Sequence, residues 1–140
     1  MKRLPDWEDR LTAVLAKSFE RRFEYGAFDC CLFACECIEA TTGEDLSLGL
    51  RGSYADTVSA ALAIRRAGAG DVEMLAASMA VRHGLPEIAP AVARQGDIVL
   101  SGWDGVMALG VCVGEDALLA TQPGLTAIPM HEWLRAWRIG

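Results

Sequence analysis

The chain has 140 residues, of which 52% are hydrophobic and 23% charged, a composition typical of a folded globular protein rather than a disordered chain. Its 19 acidic residues outnumber its 13 Lys and Arg residues, so the formal net charge is -6. That balance argues against nucleic-acid binding, which needs a basic face. The length predicts a single domain over residues 1–140.

No segment is typical of a targeting or membrane-inserted sequence. The first residues carry positive charge, but no apolar stretch follows them, which is unlike a signal peptide. The longest nearly uncharged apolar run, 105–114, has about half the length that a membrane helix needs. We therefore expect folding in a cytoplasm, with the five cysteines reduced rather than paired in disulfides.

Two predicted helices begin at aspartates in the first third of the chain. Asp6 is a candidate N-cap for a first helix, in which apolar residues recur at helical spacing over 7–19. Asp29 can cap a second helix over 30–40, and Gly43 is placed to end it.

Two further helices are predicted in the middle of the chain. Ser53 and Asp56 have the spacing of a capping box for a third helix, which extends to about Ala67. Asp71 opens a fourth helix, which extends to about Arg82.

The last third of the chain predicts strands. After an irregular connector over 84–96, short β-prone runs alternate with Gly, Asp and Pro turns. Residues 130–135 can form a short helix and residues 136–139 a last strand. The other strands are predicted near 97–101, 106–113, 117–121 and 125–128. Helices followed by such strands predict an α+β fold, with N-terminal helices packed on a small C-terminal antiparallel sheet.

Four of the five cysteines lie within eight positions, at the start of the predicted second helix. Cys30 follows Asp29 directly, at a helix N-terminus, where the pKa of a thiol is lowered. Since the thiolate is the attacking species, Cys30 is a candidate nucleophile. The alternative is a small apolar side chain packed between helix and sheet. Buried packing is also the better interpretation of Cys31, Cys35 and Cys37.

A metal site is a weaker interpretation of the same cysteines. At about 100° per residue, Cys30 and Cys37 point to one side of the helix, and Cys31 and Cys35 point about 120° away from them. One helix cannot wrap four thiolates around one ion. Cys31 and Cys35 could supply two ligands to zinc or an iron–sulfur cluster, with Cys112 as a third. Without such a site, no cofactor is expected.

The order of motifs resembles that of the bacterial papain-like cysteine peptidases of the NlpC type, which cut cell-wall peptides. Members of that family have an aromatic–glycine turn and then an Asp-Cys pair that opens a helix. The segment FEYG, which contains Phe23, Tyr25 and Gly26, is similar to that turn. The pair Asp29 and Cys30 is similar to the start of the nucleophile helix.

Two later segments resemble strands of the same family. GDIVL, which begins at Gly96 and Asp97, is similar to the family's first strand. ALGVCVG, which begins at Ala108 and contains Gly110, is similar to the strand that carries the catalytic histidine. The resemblance covers about residues 20–130 and implies a papain-like NlpC-type domain.

The resemblance also implies that the catalytic machinery is incomplete. Ala108 occupies the position of the catalytic histidine, and the family's third polar position falls at Leu119 or Ala120, which are both apolar. The two histidines present, His83 and His131, lie outside the matching strand. Either one is a candidate replacement base, so an active cell-wall peptidase or amidase is the alternative to a domain without peptidase activity.

The whole chain further resembles a group of small phage and prophage proteins encoded in tail-gene regions. This resemblance implies a structural or assembly component of a phage-type tail tip, made in the host cytoplasm and then present in the virion tail. The pieces shared with that group are Asp29–Phe33, Thr42–Asp45, Gly52–Tyr54, Gly96–Val99 and Ala136–Ile139.

Apolar residues in predicted turns and loops are candidates for a protein interface. Trp103 lies in a predicted turn between strands, where we expect it to be exposed, and Met107 follows it closely. The segments 46–50 and 84–90 are also apolar within loops. We therefore expect the partners to be other tail or hub proteins, with cell-wall peptide as a ligand only if the cysteine is active.

Overall fold

The computed structural model describes residues 1–140 and has four helices followed by a six-stranded sheet. The helices are α1 (Trp7–Ser18), α2 (Cys30–Thr42), α3 (Thr57–Arg66) and α4 (Val72–Arg82). The strands are β1 (Glu87–Ile88), β2 (Ile98–Trp103), β3 (Val106–Cys112), β4 (Asp116–Thr121), β5 (Gly124–Pro129) and β6 (Trp133–Trp137). Neighbouring strands are antiparallel, in the order β1-β6-β2-β3-β4-β5. The predicted α+β class is therefore confirmed.

Aspartate side chains fix the starts of α2 and α4, as predicted. Asp29 accepts a hydrogen bond from the backbone N–H of Leu32 at 3.0 Å, and Asp71 accepts one from Met74 at 2.8 Å. Gly43 ends α2 in the left-handed conformation, with a φ of 82°.

Two predicted caps are wrong. Asp6 precedes α1, but its side chain makes no capping hydrogen bond, because its backbone does not adopt the extended conformation that an N-cap residue needs. The capping box of α3 is formed by Asp56 and Ser59 rather than by Ser53 and Asp56. The Ser53 hydroxyl instead donates to the carbonyl of Leu50 at 2.7 Å.

The connector over 84–96 is not wholly irregular. Glu87 and Ile88 form β1, which pairs with β6 at the edge of the sheet. Pro90–Val92 form a short 3-10 helix. A two-residue strand carries no alternating pattern of its own, so only its pairing partner defines it.

The predicted helix over 130–135 is wrong beyond its first turn. Met130–Glu132 form a 3-10 helix, and Trp133 already begins β6. This strand pairs with β2 on one side and β1 on the other, and its two tryptophans, Trp133 and Trp137, are buried. Sheet pairing outweighs the helical preference of so short a segment.

Helix α2 packs on β3 and β4 and supplies much of the core. Its fully buried residues include Leu32, Phe33 and Cys37. Successive strand residues point to opposite faces of the sheet, so Leu100 joins the α2 side and Val99 joins a second cluster on the other face. None of the helices is long and apolar enough to cross a membrane.

Candidate functional site

A mostly apolar cleft of about 600 Å³ lies between the helices and one end of the sheet. It is lined by 21 residues, of which 16 are hydrophobic. The walls come from the aromatic turn, the start of α2, the helices α3 and α4, the β2–β3 hairpin and the β4–β5 turn. The cleft therefore gathers segments that are far apart in sequence around Cys30.

Asp29 joins the aromatic turn, the start of α2 and the loop before α3. Besides capping α2, its carboxylate accepts hydrogen bonds from the Gly26 N–H at 3.0 Å and the Tyr54 hydroxyl at 2.6 Å. Burial and the hydrogen bond to Asp29 raise the pKa of Tyr54, so its hydroxyl stays protonated and donates. Gly26 has a φ of 83°, and an added Cβ would collide with the Tyr54 carbonyl, so only glycine fits there.

The Cys30 sulfur lies where β3 and β4 separate. Pairing between these strands ends at Gly110, so Ala108 and Leu109 lie beyond it, beside the start of α2. The sulfur of Cys31 is 4.0 Å from that of Cys30. The thiol of Cys31, and to a lesser extent the Leu109 N–H, lower the pKa of Cys30 although burial opposes them.

The other thiols are harder to ionise. The hydrogen bond to Cys30 and burial raise the pKa of Cys31. Burial raises the pKa of Cys35 to about 12, and it also raises the pKa values of Cys37 and Cys112. Cys37 is fully buried, as predicted, whereas Cys31 and Cys35 remain partly exposed. No three His, Cys, Asp or Glu side chains lie close enough to hold a metal ion, so Cys31, Cys35 and Cys112 do not meet.

The positions that resemble the rest of a catalytic triad are apolar and close to Cys30. Ala108 lines the cleft beside the thiol, and Ala120 lines it from β4. Leu119 is fully buried in the apolar cluster that also contains Ala108 and against which Cys30 packs. None of these side chains can accept or donate a proton.

Neither histidine lies in the cleft. His83 caps the C-terminal end of α4, where its backbone N–H donates to the Met79 carbonyl. His131 is largely exposed and lies 3.5 Å from the carboxylate of Glu132. The structure therefore brings no imidazole to the Cys30 thiol.

Gly96 and Asp97 serve the scaffold rather than the cleft. Asp97 is fully buried and forms ion pairs with Arg3 at 3.1 Å and Arg138 at 3.0 Å. It also accepts a hydrogen bond from the Ile139 N–H at 3.0 Å. This carboxylate anchors the start of β2 to segments from both ends of the sequence.

The β2–β3 hairpin places Trp103 and Met107 on the cleft wall. The prediction that Trp103 lies in an exposed turn is wrong, because it pairs with Val106 as the last residue of β2 and is partly buried. The turn itself consists of Asp104 and Gly105, both with positive φ, as a two-residue hairpin turn requires.

Sequence reasoning does not find every residue of the site. Tyr54 reaches Asp29 across 25 positions, and Thr121, Ile64 and Leu75 line the cleft from three other elements. For Tyr54 a signal exists, since it belongs to the Gly-x-Tyr piece that resembles the tail-region proteins. The others carry no signal beyond being apolar or small.

Together these features define an α+β protein with a thiol at the start of a helix, facing an apolar cleft that lacks a histidine. The chain belongs to the family described as Domain of unknown function (DUF6950), whose model matches residues 2–139. Comparison with curated proteins found no match.

Proposed function

We propose that the protein is a structural or assembly component of a phage-type tail, built on a papain-like NlpC-type scaffold that does not cleave peptides. The observation that supports the absence of peptide cleavage is the environment of Cys30. Its thiol opens a helix and faces a cleft, yet Ala108 stands where the resemblance implies a histidine.

We expect no peptide cleavage because the leaving group of an amide is an amine, which has to be protonated. Attack on an amide needs a thiolate, and the collapse of the intermediate needs an acid that gives a proton to the departing amine. The lowered pKa of Cys30 helps the first step. No histidine lies on the cleft wall to supply that proton, so we expect peptide cleavage to be slower by orders of magnitude than in an intact Cys–His enzyme.

The tail role is supported by the resemblance to tail-region proteins and by the surface. Large apolar side chains are exposed on the helical side, among them Leu48, Val58 and Val81. Exposed apolar residues that form a patch are typical of a surface that binds another protein chain. The partners we propose are tail or hub proteins, met first in the host cytoplasm and then in the virion tail.

The first prediction is that the protein releases nothing from peptidoglycan fragments above background. Product formation would be followed by mass spectrometry for the wild type and Cys30→Ala, whose traces should coincide. Ala108→His should also be inactive, because the positions that the resemblance assigns to the third polar group, Leu119 and Ala120, are apolar. Release by the wild type that disappears in Cys30→Ala would show that the alternative, an active cell-wall peptidase or amidase, is right.

The tail role has a separate test. Purified tail particles from the encoding phage or prophage should contain the protein at a fixed ratio to the other tail proteins. Its absence from complete particles and from their assembly intermediates would contradict the proposal, whatever the peptidase assay shows.

A further inference from the structure

The Cys30 thiol can still react where the leaving group needs no proton. An amide expels an amine that has to be protonated, and the Cys31 thiol and Tyr54 hydroxyl in the cleft, whose pKa values are raised, are poor proton donors for this. A thioester expels a thiolate, whose conjugate acid has a pKa of about 8.5, so it departs without help. Transfer of an acyl group between two sulfurs requires only a nucleophilic thiolate and a binding site for the acyl group.

The surroundings of the sulfur suit that exchange. The Cys31 thiol, 4.0 Å away, and the Leu109 N–H both favour the thiolate of Cys30. The Cys31 backbone N–H, in the first turn of α2, also lowers the pKa of this thiol. Cys30 is the first residue of α2, so N–H groups of the first turn that have no partner within the helix lie beside it, and a helix N-terminus stabilises negative charge.

The cleft suits an uncharged chain. Its volume of about 600 Å³ is within the usual range for small-molecule sites. Ile64, Val72 and Leu75 supply apolar wall from the helices, and no Lys or Arg lines the cleft. Of its two carboxylates, Asp29 is occupied by three hydrogen bonds. A hydrocarbon chain therefore matches the wall better than a charged peptide does.

We propose that Cys30 accepts an acyl group from a long-chain acyl thioester and that the cleft holds the hydrocarbon chain. The thiolate sulfur forms a bond to the carbonyl carbon, and the bond between that carbon and the donor sulfur breaks. The donor leaves as a thiolate and takes up a proton from solvent, which balances the proton that Cys30 released. No oxidation or reduction takes place. The inference concerns this thiol and does not depend on the tail role.

The test is incubation with hexadecanoyl-coenzyme A at neutral pH, followed by intact-mass measurement and peptide mapping. We expect a mass increase of one hexadecanoyl group, located on Cys30 and removed by neutral hydroxylamine. Cys30→Ala should carry no adduct. Cys35→Ala is the matched control, because Cys35 is a partly exposed thiol on the same helix outside the cleft, and its loss should change nothing. No adduct on the wild type, or an adduct that persists in Cys30→Ala, would overturn the proposal.

A second variant separates the thiol from the cleft. Ala60→Trp fills the cleft from α3, and it should reduce hexadecanoyl transfer at least about tenfold while acetyl transfer from acetyl-coenzyme A is retained. Ile64→Trp is the substitute if thermal melting shows that Ala60→Trp does not fold. Equal loss of long and short acyl transfer in a folded variant would mean that the cleft does not hold the chain.

Discussion

At the scale of single residues, Asp29 shows how a site is held by one buried carboxylate. It accepts hydrogen bonds from Gly26, Leu32 and Tyr54, which belong to the turn, to α2 and to the loop before α3. Hydrogen bonds to an ionised acceptor are stronger than those between neutral groups. The position of Cys30, the next residue, therefore depends on contacts made by its neighbour.

Tyr54→Phe should lower the free energy of unfolding by about 1.5–3 kcal/mol, since it removes a 2.6 Å hydrogen bond to a charged group and leaves the ring in place. Tyr25→Phe is the matched control, because its hydroxyl is only the acceptor of a long 3.3 Å hydrogen bond from exposed Thr57. Denaturant unfolding of both variants gives the comparison. Equal losses of unfolding free energy in the two variants would show that the hydrogen bond from Tyr54 to Asp29 does not stabilise the fold.

At the scale of elements, the junction of β3 and β4 depends on the absence of a side chain at Gly110. This glycine pairs with Leu119, and an added Cβ would lie 2.5 Å from the Leu118 carbonyl oxygen and 2.5 Å from the Leu119 Cδ1 atom. The two strands separate immediately beyond this pair, where Cys30 lies. The strands β3 and β4 are in close contact at Gly110 and separate beyond it, and both features shape the floor of the cleft.

Gly110→Ala should destabilise the fold by about 1–3 kcal/mol or more, because the backbone of β4 cannot move aside without breaking its pairing with β5. Gly102→Ala, in the neighbouring strand, meets no atom within 4 Å and should change stability little. Thermal and denaturant unfolding measure both. A stable Gly110→Ala with intact Cys30 chemistry would contradict this account of the junction.

The elements also show what the sequence predicts and what it leaves open. Helix α2 is predictable because Asp29 and Gly43 mark both of its ends by local hydrogen bonds and local backbone geometry. β1 and the first residues of β6 are not, because they exist through pairing between segments far apart in sequence, as Glu87 with Trp137 and Ser101 with Trp133. Only the end of β6 falls within the strand predicted over 136–139. The candidate site divides in the same way. The Asp-Cys motif predicts that Cys30 lies at the start of a helix. Tyr54 and the residues of α3 that line the cleft come close to Cys30 only through tertiary packing.

At the scale of the whole molecule, most of the exposed large apolar side chains lie in the helical half of the chain, while Val92, Val106 and Leu134 lie in the sheet half. Leu62 of α3 and Met74 of α4 are exposed, together with the three side chains noted above. The hairpin that carries Trp103 adds an aromatic wall to the cleft from the sheet. A partner that contacts helices and hairpin together would cover the mouth of the cleft, which is the arrangement we propose for tail binding.

Trp103→Ala should weaken binding to isolated tail particles by about 2 kcal/mol or more, because partly exposed tryptophans that line a cleft are typical anchors of protein interfaces. It should affect folding less than Trp133→Ala, the matched control. Trp133 is buried, and its indole N–H donates to the Ile128 carbonyl at 3.1 Å, so its loss should cost about 3–5 kcal/mol of stability. Co-sedimentation with tails measures the binding, and denaturant unfolding measures the stability.

A Trp103→Ala protein that loses its fold as fully as Trp133→Ala would place Trp103 in the core. If it keeps both its fold and its affinity, Trp103 is not a tail-binding anchor.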